Sequence, residues 1–167
     1  MGPFKKHLRF VSQRVFTGHE AGQALIETAL SMPVLMVMLV GAVELGRTAY
    51  TAIEVANSAK AAAQYAAQNP GTSVDTATMQ TLAVNEANDY GITLNTPISV
   101  TTTCRCAKAG TTTADSCGPS STCASTGGYL VRTLTISTSA NFTPLFHLPG
   151  VGPSFTVYGK AVQEVLF

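Results

Sequence analysis

The hydrophobic and polar positions of the chain fall into three regimes. From Gln23 to Val43 nearly every position is apolar, with Gln23, Glu27, Thr28 and Ser31 as the polar exceptions. A helix rises about 1.5 Å per residue, so these 21 residues would span roughly 31 Å, about the thickness of a bilayer core. Pro33 lies inside the run and would kink the helix at most, which membrane helices tolerate. In the second regime Ala49, Ala52, Ala56, Ala59, Ala63 and Ala67 recur at spacings of three and four, the period of one helix face. Alanine is the best helix former, and Asn69-Pro70-Gly71 is a stop, so one helix is predicted from about Gly22 to about Gln68.

A second, shorter helix is predicted over 72–91. Ser73 and Asp75 are its candidate N-caps, Met79, Leu82, Ala83, Ala87 and Tyr90 form one face, and Gly91 suits a left-handed cap. The third regime begins after Gly91, where the period changes from helical to alternating. Ile98–Thr103 is rich in β-branched residues. Over 130–140, Leu130, Leu134, Ile136 and Ala140 fall on one side and Thr133, Thr135, Ser137 and Ser139 on the other. Pro144–Pro153 reads as a connection, and Ser154–Leu166 as a last strand with Phe155, Val157, Ala161 and Val165 in phase. The predicted fold class is α+β: a long N-terminal helix, a short second helix, and about three antiparallel strands packed on the long helix.

Charge gives the anchor a direction. Lys5, Lys6, Arg9 and Arg14 stand against the single Glu20 in the first 22 residues, which therefore read as a basic cytoplasmic leader. Residues 23–43 are then a transmembrane helix, 44–69 its continuation on the far side, and 70–167 an exported α+β head. The apolar run is longer than the core of a secretory signal and meets Glu44-Leu-Gly-Arg47 without a small-x-small cleavage site. Ala42 and Gly46 have the small-xxx-small spacing that lets helices approach closely in a membrane. Charged residues make up only 11% of the chain, which argues against a nucleic-acid binder or a disordered tail.

Four cysteines, Cys104, Cys106, Cys117 and Cys123, bracket a loop of Thr, Ser, Gly and Pro in the exported part, where disulfides persist. A Cys104–Cys106 bond would close a tiny strained ring. That leaves 104–117 with 106–123, or 104–123 with 106–117. C-x-C with C-x₅-C departs from the C-x₂₋₄-C spacing of zinc sites, so no metal is expected. No cofactor or small-molecule substrate is indicated either. His7 and His19 are in the leader, His147 stands alone in a Pro-rich loop, and the acidic residues are dispersed. No triad, histidine metal cluster or phosphate-binding glycine loop is present in the sequence, so the chain is not read as an enzyme.

The residues Gly22-Gln-Ala-Leu-Ile-Glu27, then Ala29-Leu30-x-x-Pro33 and Glu44-Leu-Gly-Arg47, resemble the TadE/TadG-like family, the pseudopilins or minor pilins of tight-adherence (type IVc) pilus systems. The resemblance covers Gly22 to about Gln68. It implies cleavage between Gly22 and Gln23 by a prepilin peptidase on the cytoplasmic side. Glu27 would become the fifth residue of the mature chain and face the new ammonium of Gln23, on its own chain or on a neighbouring subunit. The implied partners are the membrane, the prepilin peptidase, other pilin subunits and the pilus assembly machinery. The implied location is the bacterial inner membrane, single-pass, with a periplasmic head. A rival reading is an uncleaved, signal-anchored protein whose cysteine-rich head binds a surface or ligand.

Overall fold

In the computed structural model of the chain, residues 18–146 and 152–166 are described, with side chains from residue 22 onward. Most of the basic leader, and His147, lie outside the described residues. By internal contacts the chain divides into two units, Met1–Gly41 and Ala42–Phe167.

The first helix, α1, runs Gly18–Ala66 and contains Pro33. In the first unit nearly all its described apolar side chains are exposed, among them Leu25, Leu30, Leu35 and Met38, and Val40 is half-buried. The second unit is an α+β head. After Ala66 a reciprocal pair of bonds forms the turn: the Asn69 N–H donates to Thr72 Oγ1, and the Thr72 N–H donates to Asn69 Oδ1. A 3₁₀ turn at Thr72–Val74 leads into the second helix, α2, Thr76–Asp89. Of the two candidate caps it is Asp75 that serves, accepting from the Thr78 N–H. Its other oxygen accepts from the Tyr65 hydroxyl of α1 at 3.0 Å. The bonds from Thr78 first, and then from Tyr65, hold the Asp75 carboxyl below its ordinary pKa. Gly91, at φ +72°, ends α2, with Ile92 N–H bonded to Ala87 O and Gly91 N–H to Asn88 O.

The sheet has four strands, not three: β1 Ser99–Lys108, β2 Thr111–Asp115, β3 Tyr129–Phe142 and β4 Phe155–Leu166. They are ordered β2-β1-β3-β4 and every pair is antiparallel. The added strand, β2, lies inside the stretch read as a cysteine-bracketed loop, and β1 carries Cys104 and Cys106 within it. A left-handed Gly110 closes the tight turn between them. Leu134, Ile136 and Ala140 of β3, with Val157, Ala161 and Val165 of β4, are buried, which is the alternation predicted. Phe155 departs from it. That ring is partly exposed and packs on Phe142 with centroids 5.2 Å apart.

The buried face of α1 is turned by about one residue from the predicted alanine stripe. Of that stripe Ala59 and Ala63 are buried, Ala49 is exposed and Ala52, Ala56 and Ala67 are half-buried, while Val55, Ser58, Ala62 and Ala66 beside it are fully buried. These small side chains bring the helix backbone against the sheet. Thr138 Oγ1 of β3 donates to the Val55 carbonyl at 2.7 Å, and a Cβ built on Gly159 of β4 would lie 2.4 Å from that carbonyl oxygen. Met79, Ala83 and Ala87 of α2 complete the core. Tyr90, placed on that face by its spacing, is instead half exposed.

Candidate functional site

The candidate site begins in the first unit. From Gly22 to Ala66, α1 is long and apolar enough to cross a membrane. Within the apolar run 23–43 both hydroxyls are satisfied in the helix: Thr28 Oγ1 donates to Ala24 O at 2.8 Å and Ser31 Oγ to Thr28 O at 3.1 Å. Over 22–43 an apolar solvent therefore has little to penalise except the Gln23 amide and Glu27, which is exposed and has no ion-pair partner among the described residues. Gly22 and Gln23 both lie in helical backbone. A peptidase acting between them would have to unwind the preceding turn. Glycine eases that, because it weakens a helix by about 1 kcal/mol relative to alanine. Ala42 and Gly46 are on exposed helix surface, and a Cβ added at Gly46 would meet nothing within 4 Å.

At the first turn beyond the apolar run the structure shows what sequence patterning missed. Glu44 and Arg47, legible only as a polar border, form a joint. Glu44 is buried, with 8% of its surface exposed. It accepts from the Leu145 N–H at 2.8 Å, in the connection after β3, and pairs with Arg47 at 3.2 Å. Arg47 in turn lies 5.2 Å from the Phe142 ring centroid. Arg47 is three positions after Glu44, so both project from one face of α1. The i, i+3 spacing was the only signal of this pairing; its contact with residues about a hundred positions away was not readable.

A second cluster sits on the helix-facing side of the sheet. Cys104 and Cys106, two apart on β1, share a face. Each is bonded to the segment that folds back over it, Cys104 to Cys117 and Cys106 to Cys123, with Cα–Cα distances of 5.2 and 5.3 Å. This is one of the two long-range pairings expected. Asp115 shapes that segment, accepting from the Ser116 N–H and the Ser121 hydroxyl; the Ser121 bond chiefly, then Ser116, holds its carboxyl below the ordinary range. Cys106, Asp115 and Cys123 come near enough to suggest a metal triad. With the two sulfurs bonded to each other, neither offers a thiolate. The buried Arg132 of β3 ties this cluster to the helices, donating to the Cys117 carbonyl at 3.0 Å and to the Ser73 hydroxyl. It stands on the core side of a strand whose other inward residues are apolar or small, a charge that the alternation made visible without indicating its partners.

These features define a class: a helix able to span a membrane, carried at its far end into a disulfide-bonded α+β head. Residues 22–64 match the family model of the TadE-like protein, so this segment is TadE-like, as the resemblance implied. No curated protein and no solved structure matches the chain.

Proposed function

We propose that the protein is a membrane-anchored pseudopilin, or minor pilin, of a tight-adherence pilus system, acting by assembly rather than catalysis. The observation that carries the reading is the coincidence of the TadE-like match with a largely exposed apolar stretch of α1, residues 22–43, whose single carboxylate is Glu27. On this reading a prepilin peptidase cuts between Gly22 and Gln23 on the cytoplasmic side. The helix then holds the subunit in the inner membrane with its head in the periplasm, and Glu27 meets the ammonium of Gln23 on its own or a neighbouring chain. Glu27 lies one turn after Gln23, and helical side chains lean toward the N-terminus, so on its own chain the carboxylate points back toward that ammonium. Ala42 and Gly46 offer a neighbouring helix a surface without bulky side chains.

The rival reading, an uncleaved anchor for a surface-binding head, differs at the N-terminus. Intact-mass measurement of the protein purified from membranes of a cell carrying its pilus system should give a chain beginning at Gln23. A chain retaining Met1 would overturn the pilin reading and leave the rival standing.

A further inference from the structure

The connection after β3 puts two large apolar side chains into solvent at a place where a globular head has no use for them. Leu145 is 64% and Phe146 51% exposed, and neither joins the core formed by the two helices and the sheet. The Leu145 backbone is not free to wander, because its N–H is bonded to the Glu44 carboxylate. Glu44 is the first residue after the apolar run ends at Val43. The hydrogen bond thus ties the connection to the level at which α1 leaves the hydrocarbon.

Depth makes the argument quantitative. A bilayer about 40–45 Å thick with a core of about 30 Å has an interfacial layer of roughly 5–8 Å on each side. A backbone N–H held 2.8 Å from a carboxylate at the core boundary falls within that layer. Neighbouring residues have the composition typical of it. Arg47 places a cation one turn beyond the boundary, where its stem can lie along apolar surface with its head in water. Tyr50 is half exposed and lines the same hollow as Arg47 and the half-exposed Tyr90. Tyr50 lies six residues past Glu44, about 9 Å along the helix and just beyond that layer, with a side chain that leans back toward the N-terminus and so toward the headgroups. Tyrosines are enriched at this level, where one end of the ring is apolar and the other wet.

We infer that Leu145 and Phe146 insert into the interfacial layer of the bilayer that α1 crosses, so that the head rests on lipid through this connection as well as through its helix. The occupant is the boundary between headgroups and acyl chains of that same membrane. The inference rests on the reading of α1 as a membrane span. Because it concerns only the leaflet nearest the head, it holds for either orientation of the chain.

The chain contains no tryptophan, so a single indole reports its own surroundings. Three full-length variants, Phe146→Trp, Leu35→Trp and Tyr158→Trp, would be reconstituted separately at low protein-to-lipid ratio. The vesicles would be phosphatidylcholine brominated either near the headgroup or deep in the acyl chains. The indole at position 35, inside the span, is expected to lose emission chiefly to deep bromines. Position 158 is exposed on β4 beside Gly159, whose neighbour Val55 is eleven residues, about 16 Å, past Glu44, and should emit as in water without quenching. Position 146 should show blue-shifted emission, lost chiefly to the shallow bromines. Water-like, unquenched emission at 146 alongside quenching at 35 would overturn the inference while leaving the span intact. A blue shift at 146 without bromine quenching would mean burial against protein and would overturn it equally. Shallow quenching at both 146 and 158 would mean that the whole head lies on the membrane and would remove the specific role of Leu145 and Phe146. An unquenched position 35 would bring down the span reading and the inference together.

Discussion

Gly159 is the residue on which the contact between helix and sheet depends. The Val55 carbonyl stands where a side chain would begin, and two hydroxyls, from Ser58 and Thr138, donate to that same oxygen. A methyl group at 159 would collide with backbone rather than with a side chain that could swing aside. Gly159→Ala is therefore expected to lower the stability of the head by about 1–3 kcal/mol, the usual cost of overpacking. Tyr158→Ala beside it, on an exposed side chain, should shift stability by no more than about 0.5 kcal/mol. Urea unfolding of the two full-length variants followed by circular dichroism would check this. Equal midpoints would refute the close approach. A glycine inside an alternating strand already hints at such an approach. Its partner on the helix was not legible, because no local pattern names which carbonyl will arrive there. Arg132 is similar: its inward position follows from the parity of β3, but the Ser73 hydroxyl and Cys117 carbonyl that receive it come from distant segments.

At the scale of elements, the long helix, the second helix, β3 and β4 were readable from a sustained period, and the first half of β1 from its β-branched residues. Two readings failed for identifiable reasons. The buried face of α1 was misplaced because alanines occupy 59, 61, 62, 63, 66 and 67, so their spacing fits more than one face. The larger Val55, together with the sheet it meets, decides which one is buried. Strand β2 was missed because Thr111–Ala114 is exposed throughout and Asp115 only half-buried, leaving no apolar alternation to detect. The remaining cue was Ala109-Gly110 between two threonine-rich runs, a two-residue hairpin connection. What holds this polar hairpin is covalent. The two disulfides separate their cysteines by 13 and 17 residues, and a closed loop of that size is worth about 3 kcal/mol in the chain-entropy account. None of the four cysteines belongs to the main apolar cluster of the head. The double variant Cys106→Ala, Cys123→Ala is thus expected to keep its far-ultraviolet circular dichroism while its unfolding free energy falls by about 2–5 kcal/mol. Loss of all β signal at room temperature would show that the bond is needed to form the sheet and not only to fasten its edge.

For the whole molecule, the core, caps and disulfides of the head all lie between Ala42 and Leu166. The proposed assembly role then concentrates on the first turns of the apolar helix, and there on Glu27. An ionised carboxylate inserted in a membrane is disfavoured, by about 2.5–3.5 kcal/mol for aspartate at a helix centre on insertion scales and by less toward the interface. Two accounts of its tolerance make opposite predictions. If water and headgroups solvate Glu27, replacing it with glutamine changes neither membrane insertion nor assembly. If the carboxylate meets the ammonium of Gln23 on a neighbouring subunit, Glu27→Gln improves or preserves insertion yet removes a charged partner from the contact. On the proposed reading the variant is cut between Gly22 and Gln23 and recovered in the membrane as fully as the parent chain. Its yield in sheared pilus fractions, or in crosslinks to neighbouring subunits, falls several-fold. Glu27→Asp keeps the charge but shortens its reach, and should restore part of that yield. Measuring processing, membrane content and incorporation side by side separates a defect in assembly from one in export. Equal incorporation of Glu27→Gln and the parent chain would remove the ion pair from the mechanism and leave Glu27 as a solvated residue at the edge of the span.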